Sequence, residues 1–310
     1  MKIILMTLIG FALSACGAKS SDVSGAPVTE TAQQVGDVMS SVDEAGSLNG
    51  SIAFMEHSKK TFARLAPDEL QENVVANFLL PQANAVTCDA GQGGYAACSG
   101  GGSGSTTRTF AGCTVGGSVT FTGTVTNTWS GTAVNCVLGA VNDAITRVPN
   151  FTVQGRRSAA LVVSKSGAVG QRLTWASGTG ASKVFNFSSD GINRKFTNSS
   201  GVVTFDHTTS VVNSTITITG TQRLNRTMTG GTLRVRDNIA KVNCDFVPTN
   251  LTWGSASCNC PTAGSWTATC TRDADSSTYT STLVVSSVCG SATFTDSTGS
   301  NDVKFDRCGT

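Results

Sequence analysis

Two histidines, His57 and His207, are the whole supply of imidazole in 310 residues. Acid–base chemistry near neutral pH therefore runs through one of them or through a shifted carboxylate. His207 follows Asp206 in an alternating run. Neighbours in a strand point to opposite faces, so Asp206 cannot orient His207 as a base. No Gly-x-Ser-x-Gly elbow is present to complete a serine triad, and His57 lies in a stretch of helical periodicity where it reads as a surface or half-buried side chain. Glycoside cleavage requires two carboxyl groups flanking the bond. Every glutamate (Glu30, Glu44, Glu56, Glu69, Glu72) precedes residue 80, so aspartates would have to serve. Asp273 with Asp275 and Asp302 with Asp306 are the available pairs, all in turn-like surroundings. No catalytic residue is assigned.

Metal chemistry has two candidate segments. Cys258-Asn259-Cys260, ten residues before Cys270, offers thiolates, but zinc sites space their paired cysteines by two to four residues. The run from Asp296 to Asp302 offers several oxygens that calcium could use. It does not follow the EF-hand spacing, and the same residue types make turns. The sequence calls for no metal and no cofactor.

Arg223, Arg234 and Arg236 make the third constellation. The segment from Gln222 to Asn238 reads as a hairpin turning at Gly230-Gly231, which places Met228 opposite Leu233 and puts these three arginines on one face. That face is a candidate anion-binding surface for glycans or head groups. Arg226 falls on the apolar face, diagonal to Asp237 as an ion partner. Aromatic residues do not interleave with the arginines, so single-strand nucleic acid is not an expected partner.

The elements that position these residues fall into two textures. Between residues 29 and 81, Val35, Val38, Met39 and Val42 recur at helical spacing, and further short helices are expected from about Ser51 and from Pro67. Residues 82–106 are a Gly/Ser-rich loop. From 107 to 310, Thr, Val, Phe and Trp alternate in short runs between Gly, Asn, Asp and Ser. Val119, Phe121, Val125 and Trp129 take one face while Thr120, Thr122, Thr124 and Thr126 take the other. Roughly a dozen such runs predict a mainly β domain, an antiparallel sandwich or an open barrel or meander, preceded by the short helical segment. From Cys88 onward there are 17 basic residues and 11 aspartates, a balance of +6 against +2 for the whole chain. The N-terminal part is correspondingly acidic.

At the N-terminus Lys2 precedes an apolar stretch, Ile3 to Ala12, too short to span a bilayer as a helix. The stretch ends in Leu13-Ser14-Ala15-Cys16. These four residues resemble the lipobox of bacterial lipoproteins, and the resemblance covers only the signal region. It implies cleavage before Cys16, so that residues 1–15 are the signal peptide, and acylation of Cys16, with residues 16–28 as a flexible tether. Three acyl chains hold a protein firmly where one is marginal. Gly17 after the cysteine, by the same resemblance, points to the outer membrane.

An exported chain meets oxidising conditions, and removing Cys16 from the 11 cysteines leaves an even ten. Nearest neighbours in the chain suggest Cys88 with Cys98, Cys113 with Cys136, Cys244 with Cys258, Cys260 with Cys270, and Cys289 with Cys308. The reading these features support is a membrane-anchored envelope lipoprotein with a noncatalytic structural or binding role, its partners being the membrane and an envelope protein, glycan or apolar ligand. A carrier enclosing an apolar ligand in a curved sheet and an extracytoplasmic glycan hydrolase are the alternatives.

Overall fold

The computed structural model describes residues 104–304, apart from 116–118, 133–135, 156–157, 222–225, 255–257, 259–260 and 298, and a few strand residues through their backbone alone. The expected signal peptide, tether and helical segment, and most of the expected Gly/Ser-rich loop, lie outside the described residues. The domain is mainly β, as its alternation predicts, and its first strand begins two residues earlier than the expected boundary at 107.

Among the described residues, sixteen strands form one sheet in which every pairing is antiparallel. They are β1 (Ser105–Val115), β2 (Val119–Ser130), β3 (Ala144–Gln154), β4 (Ala160–Lys165), β5 (Gln171–Ser177), β6 (Val184–Ser189), β7 (Ile192–Thr197) and β8 (Val203–Val212), then β9 (Ile216–Thr219), β10 (Arg226–Thr229), β11 (Thr232–Asp237), β12 (Val242–Trp253), β13 (Ala263–Arg272), β14 (Thr278–Val285), β15 (Ser291–Asp296) and β16 (Gly299–Lys304). Among the described residues a 3-10 turn, Gly180–Ser182, separates β5 from β6.

The register shows that several of these strands are halves of longer ones. Met228 of β10 lies opposite Leu251 of β12, and Leu233 of β11 lies opposite Phe246, the same five-residue step on both chains. β10 and β11 are therefore one rib running along one edge of β12. The expected hairpin at Gly230-Gly231 does not form: both glycines adopt left-handed backbone, φ +67° and +65°, and kink the rib instead of reversing it. At the kink the outer partner changes from β9 to β8. β4 and β5 likewise share one edge of β3, with seven residues from Ser164 to Gln171 set against three from Asn150 to Arg147. β6 with β7 and β8 with β9 are broken in the same way. The sixteen strands thus make an open meander in chain order, crossed by a seam of breaks at 166–170, 190–191, 213–215 and 230–231.

Alternate residues sort onto two faces, as the pleat requires. The outer face is rich in threonine, while the inner carries two apolar clusters. The larger includes the cross-strand row Trp175, Phe185, Ile218 and Met228, together with Trp253 and Trp266. The smaller gathers Phe110, Phe121, Phe151, Val153 and Phe196, with the Phe110 and Phe121 ring centroids 5.6 Å apart. Burying each such side chain contributes about 1.5–3 kcal/mol.

Three elements have little signature in the sequence. β3 contains Pro149 and Arg147, which argue against an interior strand, yet both are buried there. Pro149 faces Val125 of β2 on one side and lies on the other at the level of the break between β4 and β5, where the ladder is interrupted and proline is tolerated. β7 is largely polar, and β13 opens on Ala263-Gly264.

Candidate functional site

The inner face carries polar side chains as well as apolar ones, and register brings them into rows. Arg194 of β7, His207 of β8 and Asp237 of β11 are direct cross-strand neighbours. His207 Nε2 lies 3.4 Å from Asp237 Oδ2, and its side chain is only 7% exposed. Asp237 also accepts hydrogen bonds from the N–H groups of Ile239 (2.8 Å) and Ala240 (2.9 Å), closing the turn between β11 and β12. Burial works to raise the Asp237 pKa. The hydrogen bond from His207 and those of the turn outweigh it and hold the carboxyl below its ordinary value. The carboxylate beside the histidine is thus Asp237, thirty residues away, and not Asp206.

Asp206 sits on the outer face, as the alternation requires. Its Oδ1 accepts Nδ2–H bonds from Asn193 and Asn238, each 2.8 Å. Arg226 is on the inner face opposite Trp253, as expected from its spacing. Its assumed diagonal to Asp237 disappears with the hairpin, because β10 and β11 lie end to end. Burial pulls the Arg226 guanidinium down to about 10.

The proposed anion-binding face is corrected by its own neighbours. Arg234 donates from Nε and Nη2 to the two carboxylate oxygens of Asp245, both at 2.7 Å. Arg236 donates to Asp273 at 3.2 and 2.5 Å. Both forks are filled from β12 or the β13–β14 turn, so neither arginine is an open anion site; Arg223 lies outside the described residues. Asp273 also accepts from Asn243 Nδ2 at 3.1 Å, and Asp275 accepts from Ser277 Oγ at 2.6 Å. The hydrogen bond from Arg236 holds Asp273 below the usual carboxylate range, and those from Ser277 hold Asp275 there. A glycosidase acid needs the opposite shift, and both carboxylates are engaged by neighbouring side chains.

Two disulfides join cysteines that are not nearest neighbours in the chain. Cys244 bonds Cys270, its direct opposite in β12 and β13, with Cα atoms 4.0 Å apart. Cys258 bonds Cys289 at a Cα separation of 5.6 Å. These two bonds replace the expected Cys244–Cys258, Cys260–Cys270 and Cys289–Cys308 pairs, and they remove Cys258 and Cys270 from zinc chemistry. Cys113 and Cys136 are disulfide-bonded too, and sit in separate core clusters instead of against each other. Cys16, Cys88, Cys98, Cys260 and Cys308 lie outside the described residues.

The run from Asp296 to Asp302 is the β15–β16 hairpin. Asp296 follows Phe294 on the buried side, whereas Asp302 pairs with Thr293 on the exposed side and accepts its hydroxyl at 3.2 Å. The two carboxylates diverge and cannot share an ion. Among the described residues no cluster of three or more His, Cys, Asp or Glu side chains could hold a metal.

A second inner row escaped the sequence reading altogether. Thr106, Asn127, Arg147, Gln171 and Ser189 are consecutive cross-strand neighbours on β1, β2, β3, β5 and β6. All five are buried. Each lies on a different strand, so only the pairing reveals the row. Beside it, Asp143 is 1% exposed and its two oxygens accept four hydrogen bonds, from Thr132 N–H and Oγ1–H and from the Gly139 and Ala140 N–H groups. Burial works to raise its pKa, and these bonds together bring it below the ordinary value.

Comparison with known proteins gives no match: no family model, no curated protein and no solved structure is similar to this chain. Among the described residues no helix is long and apolar enough to cross a membrane, which says nothing of strands.

Proposed function

We propose that the protein is an exported, lipid-anchored envelope protein whose β-sheet has a noncatalytic structural or binding role. The observation that carries this reading is the disulfide-bonded state of the sheet cysteines, above all Cys244–Cys270 set directly across two paired strands. Such bonds persist in oxidising compartments, which is where the lipobox ending at Cys16 would deliver the chain. The noncatalytic part is supported by the carboxylates. Asp206, Asp245, Asp273 and Asp275 are each engaged in bonds that hold the sheet or its turns.

The test is Cys16→Ser followed by membrane fractionation and limited proteolysis. The expected result is a protease-resistant β domain in the soluble fraction, with the parent protein in the membrane fraction. A Cys16→Ser protein that stays membrane-bound overturns the anchor. A His207→Gln protein that folds but fails to complement a deletion strain overturns the noncatalytic role.

A further inference from the structure

We infer that the acidic segment 29–81 of this chain packs over the inner face of β1–β4 and β7 as a second layer, held there by a disulfide from Cys113 to Cys88 or Cys98. The smaller apolar cluster lies on that face, with Phe121 and Val153 0% exposed and Phe196 2%. An apolar sheet face excludes water only beneath a second layer. Every member of the cluster comes from β1–β4, β7 or the turn before β4, and the larger cluster does not merge with it. Among the described residues, then, no apolar cluster faces it from above.

Cys113 indicates which part of the chain supplies that layer. It is 0% exposed within the cluster and disulfide-bonded. Cys244 and Cys258 bond Cys270 and Cys289, and Cys136 sits in the larger cluster. With Cys16 the expected acylation site, Cys88, Cys98, Cys260 and Cys308 remain. Cys260 lies in the β12–β13 connection and Cys308 follows β16, both at the end of the meander where β1 begins. Cys113 stands eight residues along β1 from Ser105, about 27 Å up the strand. Cys88 and Cys98 precede β1 directly. Even the seven residues from Cys98 to Ser105 reach about 25 Å when extended, and a disulfide spans about 5–6 Å more between Cα atoms. Forming the bond removes two protons and two electrons from the two thiols, passed by thiol–disulfide exchange to a disulfide oxidant of the export compartment.

Residues 29–81 fit the face in charge and pattern. They hold eight Asp and Glu against three Lys and Arg, whereas the chain from Cys88 onward has a balance of +6. Two guanidinium groups are buried on the inner face of β1 and β3, Arg108 at 2% and Arg147 at 4% exposed, where oxygen acceptors must receive their N–H groups. Leu70, Val74 and Phe78 share one side of an expected helix, and Phe78 is ten residues from Cys88. A face covered by the protein's own chain leaves no cavity for the apolar-ligand alternative.

Non-reducing peptide mapping of the purified full-length protein tests the bond and needs no variant. The Cys113 peptide is expected to be joined to Cys88 or Cys98; its joining to any cysteine after β1 overturns the inference. Limited trypsin digestion tests the packing at Lys59, Lys60 and Arg64. Phe78→Asp, a change outside the sheet, should speed cleavage at these three sites tenfold or more while the β circular dichroism is retained. Equal cleavage rates in the parent and Phe78→Asp proteins overturn the packing. The release of the Cys16→Ser protein from membranes is independent of both results.

Discussion

His207 and Asp237 show how a single residue's role depends on register. Asp237 titrates below its ordinary value because His207 and the turn N–H groups stabilise its charged form against the cost of burial. A carboxyl with a folded-state pKa below its unfolded value contributes stability that is fully present above the unfolded pKa. That stability is lost as pH falls through the folded value. Asp237→Asn is therefore expected to lower unfolding free energy by about 1–2 kcal/mol at neutral pH, and the difference from the parent should vanish in acid. Urea unfolding of both proteins at neutral and acid pH measures it; a gap that persists unchanged in acid contradicts the assignment. The alternation in β8 was sufficient to separate Asp206 from His207. Nothing local could supply Asp237, because its position beside His207 depends on how β8 and β11 pair.

At the scale of elements, the four breaks are the feature that divides this sheet. Gly230-Gly231 has the composition of a hairpin turn, yet the register across it is continuous. The left-handed backbone at both glycines bends the rib, and Gly231 passes so close to β9 that a Cβ there would sit 2.6 Å from the Thr215 carbonyl oxygen. Gly231→Ala must both strain φ and push backbone apart, and is expected to destabilise by about 1–3 kcal/mol. Thermal unfolding followed by circular dichroism checks this; a melting temperature equal to the parent's would show that the approach relaxes freely. A neighbouring break is held by Asp190, whose carboxylate accepts the Val169 and Gly170 N–H groups at 2.5 and 2.7 Å. Glycine pairs mark a sharp backbone change in the sequence, but whether the change reverses or kinks a strand is settled by which edges are available to pair.

For the whole molecule, an open meander with one apolar face is braced by one disulfide across two paired strands and by another between the β12–β13 and β14–β15 connections. Cys244 and Cys270 are 26 residues apart in the chain and Cys258 and Cys289 are 31, and closing loops of this size stabilises by about 2–4 kcal/mol each. The double variant Cys244→Ala with Cys270→Ala should lose an amount in this range in guanidinium unfolding while keeping its far-ultraviolet spectrum. Loss of the β spectrum in native buffer would instead make that bond a condition of folding. The arginines follow the same logic of scale. Arg234 and Arg236 look like an open basic face along one strand, and become bidentate ion pairs once β12 and the β13–β14 turn are beside them.

The sequence by itself determined the class of structure, because period-two alternation of Phe, Val and Trp with Thr can bury one face only as strands. It also determined that Asp206 and His207 part company. Tertiary structure alone decided the cysteine pairing, the partner of His207, the filling of the arginine forks, and the buried row from Thr106 to Ser189. Each of these is a relation between residues far apart in the chain, set by strand register, and register depends on the pairing of whole ribs. Local spacing carries no record of it.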